Sequence, residues 1–498
     1  MGKTANQEHL WRLTSAVIVA LVASLGLAGI ALAGPKEDAK IRHLLQRATF
    51  GFTSEEADRV RAIGRHAWIG EQVQPDKIED PSLDRKLEIH PSLTMSPAEL
   101  LANYPRQNRD NPQGYGPPQR ILAELRSAQV TRAVHARAQL REVLTDFWFN
   151  HFNVYAANGP TRYTIVPYLR DAIRPHVLGR FEDLLRATAE SPAMLYYLDN
   201  ASSSAPGSRG RNSGINENYA RELLELHTLG VDGGYTQEDI VQVARAFTGW
   251  TFTPARSGAY EFYFSPRIHA EGDKQVLGTR IPAGGKDEGD AILALLARHP
   301  ATAEFIATKL VQRLVADDPP AELVEQAKAI YLFTDGNLAF VVAAILGSED
   351  FYRPEYREAK LKTPLELVAS SLRAAGADVA LGFPLYERVG DLGQPMMTAA
   401  TPTGWPERAD EFVSAGAMVS RFELAYAVAT SQLRNVAWLP IDWDELVSFF
   451  GIDGLALYLL GRWPDPATSL ALQEAANRGA NGQLLAALVF ASPEFQQQ

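Results

Sequence analysis

The sequence predicts a mainly α-helical fold, a multi-helical globular domain that carries one small β-hairpin. Apolar residues recur at helical spacing along most of the 498 residues, and capping residues or prolines mark many of the expected helix starts. The best strand candidate is the aromatic run Tyr260–Phe264, because aromatic residues favour strands. An apolar content of 46% and a charged content of 21% are typical of a globular protein.

Residues 1–33 are predicted to be a secretory signal peptide. Two basic residues, Lys3 and Arg12, precede an apolar run over 16–33 that ends in the small-residue pattern Ala-Leu-Ala. We therefore expect cleavage before Gly34 and a periplasmic or secreted protein. The alternative is an uncleaved membrane anchor, since the run is about as long as the ~18 residues that suggest a membrane span.

The remaining residues, 34–498, are predicted to form a single large helical domain. They are numerous enough to bury a sizeable core. A division into two lobes, 34–285 and 286–498, is the alternative, because helix follows helix from residue 286 onward. No stretch after the signal peptide is predicted to span a membrane.

Charge and cysteine content exclude several classes of protein. A net charge of −11 argues against a general nucleic-acid binder, which needs a basic face to displace counterions from phosphates. The chain has no cysteine. Disulfides, thiolate zinc sites, iron–sulfur clusters and covalently attached haem are therefore ruled out.

Local signals mark the helices of the first half of the chain. Thr53 with Glu56 forms a capping box that predicts a helix to about Ile63. Residues 75–118 are rich in proline and are predicted to be irregular, apart from one short helix after Ser96. Further helices are predicted over 38–52, 119–153, 163–175, 180–189 and 191–198.

The helix Asn216–Leu229 is the element around which we expect a functional site. Asn216 can cap its start, and Gly230 ends it in the C-cap position, where a left-handed backbone costs glycine little. Leu223 and His227 fall close to one line with Asn216 on the helix surface. His227 is therefore expected to lean against the apolar face.

The second half of the chain is predicted to be almost entirely helical. A helix opens at Thr236, whose capping partner is Asp239, and the strand near Phe262 is expected to pair with Gln275–Gly278 or its neighbours. Residues 377–410 are predicted to be irregular. The later helices are predicted over 287–298, 300–316, 320–333, 336–347, 363–376, 411–432 and 466–492.

Long motifs carry a family resemblance. They are Asn216-Glu217-Asn218, the run from Arg221 to Gly230, Tyr235-Thr236-Gln237, Thr248-Gly249-Trp250, the run from His43 to Gly51, the run from Phe147 to Phe152, Leu392-Gly393-Gln394-Pro395 and Gly404-Trp405-Pro406. Together they resemble the bacterial family catalogued as domain of unknown function 1800, over nearly the whole chain after the signal peptide. The resemblance implies an exported protein whose gene often neighbours one for a second exported family, related to sulfatases. It brings no established catalytic residues.

One motif departs from the family pattern. Where the family usually shows His-Asp-x-Gly-x-Lys, this chain has His269-Ala270-Glu271-Gly272-Asp273-Lys274. The histidine thus lacks its acidic neighbour, which weakens any role of His269 that needs an adjacent carboxylate.

Four histidines are candidate catalytic residues, because an imidazole beside carboxylates can act as a base or as a metal ligand. The alternative for each is a core histidine whose ring nitrogens are satisfied by hydrogen bonds, or, at the end of a helix, one favoured by the helix dipole. The four are His43 with Arg47 one turn on, His151 at the end of a helix, His227, and His269 with Lys274.

Glu217 and Arg221 complete the candidate site, since residues four apart on a helix can form an ion pair. Glu217 with Asp199 could supply the two carboxylates of glycoside hydrolysis. The histidines with Glu217 and Glu222 could instead hold a divalent transition metal, although no His-x-x-x-His or His-Glu-x-x-His spacing supports one. The loop Gly207–Arg211 is a candidate anion site, with a surface loop as the alternative.

Two functions follow as hypotheses. The first is an envelope or extracellular enzyme that acts on a glycan or another anionic polymer. Its pocket would be lined by His43, His151, Glu217, Arg221, His227 and His269. The second is a non-catalytic binding or assembly partner of the co-exported sulfatase-like protein.

Overall fold

Helices make up most of the computed structural model, which describes residues 34–105, 115–157, 159–208, 214–254, 260–412, 414–438 and 441–498. The predicted fold class, mainly α with a small β component, is confirmed. The predicted signal peptide, residues 1–33, lies outside the described residues, and so do Arg209 and Arg211 of the candidate anion site.

The first half of the chain supplies the helices that carry the predicted site. The α-helices before residue 286 are α1 (Pro35–Ala48), α2 (Ser54–Ile63), α3 (Arg65–Gln72), α4 (Pro81–Leu87), α5 (Pro97–Asn103), α6 (Gln119–His135), α7 (Gln139–His151), α8 (Thr161–Pro167), α9 (Phe181–Glu190), α10 (Pro192–Tyr197), α11 (Asn218–Glu222) and α12 (Gln237–Phe247). Single π-helical segments follow α8 at Tyr168–Ile173 and α11 at Leu223–Thr228.

The second half continues with a further series of helices. They are α13 (Lys286–Ala297), α14 (Pro300–Leu314), α15 (Ala321–Phe333), α16 (Leu338–Gly347), α17 (Pro364–Ala374), α18 (Leu385–Asp391), α19 (Ala415–Ala429), α20 (Trp443–Leu460), α21 (Pro466–Asn477), α22 (Gly482–Ala491) and α23 (Pro493–Gln496). Buried apolar residues from Ile41 to Phe495 belong to one connected core cluster. The division into two lobes stays a prediction.

The β structure differs from the expected hairpin. Across the described residues it consists of three two-stranded antiparallel sheets. The expected strand forms, as Phe262–Phe264, but it pairs with Trp250–Phe252, the segment directly after α12. The expected partner, Lys274–Val276, pairs with Thr279–Ile281 instead. In the third sheet each strand has two residues, and Asp378–Val379 pairs with Val436–Ala437.

The long helix predicted over 119–153 is wrong in one respect, because it is interrupted between α6 and α7. The side-chain amide of Gln139 donates to the carbonyl oxygens of Ala133 at 3.1 Å and Ala136 at 2.8 Å. These bonds satisfy the carbonyl groups that the end of α6 leaves open. The break therefore needs neither proline nor glycine.

The central helix forms where it is predicted but changes its winding halfway. After α11, the amide of Leu229 donates to the carbonyl oxygen of Leu224 at 2.9 Å, a bond one residue longer than an α-helical one. The hydroxyl of Thr228 donates to the carbonyl oxygen of Leu223 at 2.6 Å. Such π-helical turns are rare and occur often at functional sites.

None of the described helices combines the length and the hydropathy that a bilayer crossing needs.

Candidate functional site

His151 and His227 lie together in the interior. His151 is the last residue of α7, and His227 belongs to the π-helical segment after α11. The ring nitrogen Nε2 of His151 lies 3.1 Å from the carbonyl oxygen of His227, and the two ring centroids are 6.1 Å apart. Two histidines far apart in the sequence thus form one pair.

The surroundings keep both imidazoles neutral. Burial lowers the pKa of His227 to about 3, and the positive charge of Lys309 acts in the same direction. Burial, with Lys309, also lowers the pKa of His151 well below its ordinary value. Nδ1 of His151 and Nε2 of His227 have no hydrogen-bond partner among the described residues. The pair can accept or donate a hydrogen bond, but it does not carry charge at neutral pH.

His43 belongs to a different part of the core. Its Nε2 donates to the carbonyl oxygen of Phe351 at 3.0 Å, and the two rings lie 4.5 Å apart. Burial, together with the charge of Arg47, lowers its pKa well below the ordinary value. Within the described residues, the ring of His43 contacts Phe351 and Tyr352 and not the His151–His227 pair.

His269 has a carboxylate neighbour after all, supplied by another helix. Glu288 of α13 places Oε1 3.2 Å from Nε2 of His269 and also pairs with Lys274. Nδ1 of His269 donates to the carbonyl oxygen of Thr248 at 2.8 Å. The ion pairs of Glu288 with His269 and Lys274 thus attach the start of α13 to the small sheets.

Glu217 and Arg221 form the expected ion pair, at the surface. Their charged atoms lie 3.3 Å apart, and each side chain is about two-fifths exposed. Gln237 at the start of α12 donates to Glu217 at 2.8 Å. The pair therefore links two helix starts and does not reach the buried histidines.

The metal hypothesis gains no support from geometry. Within the ranges that the structure describes, no three His, Asp or Glu side chains converge in a way that could hold a metal ion.

A second buried polar cluster was not anticipated from the sequence. Arg313 of α14 meets three carboxyl groups: Oε1 of Glu366 at 2.9 Å, Oε2 of Glu407 at 3.4 Å and Oδ2 of Asp146 at 3.8 Å. The Arg313 side chain is only 2% exposed, whereas Asp146 keeps 29% and Glu407 17% of their side-chain surface. We call Asp146, Glu407 and Arg313 the carboxyl site.

The carboxyl groups of this cluster differ in their affinity for protons. Burial raises the pKa of Asp146 to about 7, and the nearby charges of Glu407 and Glu366 raise it further against the opposing effect of Arg313. Burial also opposes ionisation of Glu366, but Arg313 and the amide of Thr363 outweigh it and lower that pKa to about 2. Asp146 therefore titrates near neutral pH, whereas Glu366 stays ionised.

A narrow cavity of about 30 Å³ opens at the carboxyl site, which is enough to hold water. Its lining includes Gln394 and Trp405. The side-chain oxygen Oε1 of Gln394 and the indole nitrogen Nε1 of Trp405 are buried and have no partner within the described part of the chain. Buried polar atoms normally have partners, so these two are available to a ligand.

Asn150 attaches the loop that carries Glu407 to helix α7. Its amide nitrogen donates to the carbonyl oxygen of Trp405 at 2.7 Å and to Oε1 of Glu407 at 3.2 Å. Its amide oxygen accepts from the backbone N–H of Trp405 at 2.7 Å. Gly404 lies directly against Asn150 with a φ of +72°, so a side chain at this position would collide with it.

Helix α14 connects the two clusters. Phe305, Lys309 and Arg313 follow one another at four-residue spacing and so lie along one side of the helix. The ring of Phe305 lies 6.2 Å from that of His151, and Nζ of Lys309 lies 5.4 Å from the centroid of Phe305. Burial lowers the pKa of Lys309, against the charge of Glu407. The histidine pair and the carboxyl site therefore flank one line of side chains.

Three of the motif stretches named above meet at this cavity. Asn150 comes from the stretch 147–152, Gln394 from 392–395 and Trp405 from 404–406. Their convergence is the signal that could have identified the site. It was hidden because Asp146 lies one position before the first stretch and Glu407 one position after the last.

The chain is thus a helical protein whose interior holds a neutral histidine pair and a group of carboxyl side chains around one buried arginine. The chain belongs to the family described as protein of unknown function (DUF1800), whose sequence model matches residues 43–497. This confirms the resemblance drawn from the motifs. Searches of curated proteins and of solved structures found no match.

Proposed function

We propose that the protein is an enzyme of the envelope or extracellular space that hydrolyses a glycan, and that the carboxyl site is its reaction centre. The observation that supports this proposal is the pair Asp146 and Glu407, held on one guanidinium, in which burial raises the pKa of Asp146 to about 7. Most glycoside hydrolases need one carboxylic acid to protonate the leaving oxygen and one carboxylate on the other side of the bond. A carboxyl group whose pKa is raised by its surroundings is suited to the role of the acid.

The proposed step uses two proton transfers. Asp146 donates its proton to the glycosidic oxygen as the bond to the anomeric carbon breaks. A water molecule attacks that carbon and gives its proton to Glu407, and exchange with solvent returns both groups to their starting forms. Arg313, 3.4 Å from Glu407, keeps that carboxylate oriented throughout. The product is a shorter glycan with a new reducing end.

The reaction centre proposed here differs from the pocket expected from the sequence. Of the six expected residues, His151 and His227 lie behind the carboxyl site on the Phe305 side of α14. Their role in the proposal is to hold an uncharged, water-poor wall behind the reacting groups. His43, His269, Glu217 and Arg221 take no part in the step.

The test is an assay for new reducing ends on a panel of polysaccharides. Asp146→Asn and Glu407→Gln should each lower the rate at least about 100-fold, the range expected for loss of a general acid or base. Asp76→Asn is the matched control, because that carboxylate is 93% exposed at the surface. All variants are compared by thermal unfolding to show that they fold.

Either of two results would overturn the proposal. One is that folded wild-type protein cleaves none of the glycans. The other is that cleavage persists at the wild-type rate in Asp146→Asn.

Export is part of the same proposal, supported by the composition of residues 1–33 and by the typical export of the family. N-terminal sequencing of protein recovered outside the cytoplasm should begin at Gly34. A start at Met1 in a membrane fraction would favour the uncleaved anchor.

One observation favours the second hypothesis, a binding partner of the co-exported sulfatase-like protein. Val419, Phe422 and Tyr426 lie on one side of α19 and are each about half exposed. Exposed apolar rows of this kind occur at protein interfaces. Co-purification of the two proteins, abolished by Phe422→Asp and not by Phe333→Asp on α15, would support it. A wild-type protein that does not associate with the sulfatase-like partner would exclude it.

A further inference from the structure

A larger groove lies next to the carboxyl site. It has a volume of about 800 Å³ and lies between helix α18 and the turn formed by residues 432–434. Its lining includes Arg126, Tyr386, Arg388 and Arg434. A groove of this size could accept several sugar units.

Helix α18 and the segment after it form the wall between the two spaces. Val389 and Gln394 line the cavity of the carboxyl site, whereas Arg388 and Pro395 line the groove. Met396 lines both. A ligand in the groove would therefore lie one side chain away from the carboxyl site.

The groove offers more cations than anions. Glu387 and Asp391 are its carboxylates, and Asp391 is already paired with Arg388 at 3.3 Å. Nε of Arg126 donates to the carbonyl oxygen of Met396 at 2.9 Å, and its guanidinium lies 5.7 Å from the centroid of the Tyr386 ring. Arg434 has no ion pair with any residue that the structure describes. Guanidinium groups bind carboxylates through two parallel hydrogen bonds, and a tyrosine ring can lie against a sugar face.

The turn that carries Arg434 is fixed to the opposite wall. The amide nitrogen of Asn435 donates to the carbonyl oxygen of Phe383 at 2.8 Å, just before α18. The strand before Phe383, Asp378–Val379, also pairs with the strand after Asn435, Val436–Ala437. Arg434 and Arg388 are thus held on connected segments, which lowers the cost of ordering them around a ligand.

We propose that this groove binds an acidic glycan, a chain of uronate sugars, and that Arg434 pairs with a uronate carboxylate. This inference rests on the proposed function for the choice of a glycan. It adds the class of substrate and a residue that selects it.

The test measures binding in native gels that contain a polysaccharide. Polygalacturonate, alginate and hyaluronate are each compared with the carboxyl-reduced form of the same polymer. Wild-type protein should be retarded by at least one acidic polymer and not by its reduced form. Arg434→Ala should weaken this retardation about tenfold, and Arg434→Glu should abolish it. Arg478→Ala is the matched control and should bind like the wild type, because this side chain, directly after α21, is 82% exposed.

The outcomes separate this inference from the proposed function. If Arg434→Ala binds like the wild type, if a reduced polymer binds as well as its acidic parent, or if no acidic polymer binds, the inference is overturned. If Asp146→Asn binds the acidic polymer normally and wild-type protein does not cleave it, the groove assignment stands and the hydrolase proposal fails. If wild-type protein and Arg434→Ala cleave the acidic polymer equally well, the hydrolase proposal stands and the groove assignment fails.

Discussion

Arg313 faces more negative charge than it can neutralise. One guanidinium meets Glu366, Glu407 and Asp146, and it is almost fully buried. Crowding several carboxyl groups around one buried guanidinium is costly, and burial raises the pKa of the acid that has the weakest contact with it. That acid is Asp146, at 3.8 Å from the guanidinium. The chemistry that we propose follows from this imbalance.

The buried His227 makes the protein less stable as the pH falls. His227 has a pKa of about 3 in the folded state because of burial, against about 6.5 when unfolded. As pH falls below about 6.5 the unfolded chain takes up a proton that the folded chain cannot, so stability is lost down to about pH 3. His227→Gln should therefore lose about 2 kcal/mol less free energy of unfolding than the wild type between pH 7 and pH 5.

The comparison is made by urea unfolding at the two pH values. His66→Gln, which removes an exposed histidine of α3, should behave like the wild type. An equal pH dependence in His227→Gln and the wild type would show that His227 is not held neutral by burial.

The position of a single side chain can be predicted from the sequence only where its neighbours are close to it in the chain. The inward position of His227 follows from its place on a helix with Leu223, and the structure leaves both buried. Asp146 and Glu407 are distant in the chain, and nothing in their local sequence indicates that one arginine would bring them together. The carboxylate beside His269 could not be predicted either, because Glu288 belongs to a later helix.

The loop around Trp405 depends on a close approach of two backbones. A Cβ atom at Gly404 would lie 2.5 Å from the carbonyl oxygen of Asn150, and the φ of +72° is unfavourable for any other residue. Gly404→Ala should therefore lower the free energy of unfolding by more than about 2 kcal/mol and displace Glu407. Gly393→Ala is the control: its φ is also positive, at +103°, but open space surrounds it.

Chemical denaturation of the two variants separates the contributions. Gly393→Ala carries backbone strain without a collision, and its φ lies farther from the left-handed region than that of Gly404. A larger loss in Gly404→Ala therefore reports the collision with Asn150. Equal losses in the two variants would mean that the loop does not need this contact.

Helices that begin with a capping residue could be predicted from the sequence, whereas short helices and a helix divided by a glycine could not. The capping residues Thr53, Thr236 and Thr363 each accept the backbone N–H three residues later. Helix α20 was missed because Gly451, at φ 73° and ψ 175°, divides its apolar pattern into two short pieces. Helix α18 was missed because its seven residues are too few for a clear periodicity.

On the scale of the whole molecule, Arg313 connects parts that are far apart in sequence. It joins α14 to α7 through Asp146, to α17 through Glu366 and to the loop after Trp405 through Glu407. Arg313→Met should lower the free energy of unfolding by about 3–5 kcal/mol, because it leaves buried carboxylates without a partner. Arg478→Met at the exposed end of α21 should change it by less than about 0.5 kcal/mol.

Adding Glu366→Gln to Arg313→Met should recover part of that loss, since it removes the carboxylate that lies closest to the lost guanidinium. A double variant no more stable than Arg313→Met would show that Glu366 and Arg313 are not coupled.

The central claim is that burial beside Arg313 raises the pKa of Asp146 to about 7, so that it titrates near neutral pH. Infrared difference spectra of the full-length protein between pH 5 and pH 9 detect the C=O stretch of a protonated carboxyl group directly. We predict a band that disappears with a midpoint near pH 7, set by the burial that raises the pKa of Asp146, and that is absent from Asp146→Asn. A band of equal size in Asp146→Asn, or a midpoint at the ordinary aspartate value near 4, would contradict the account.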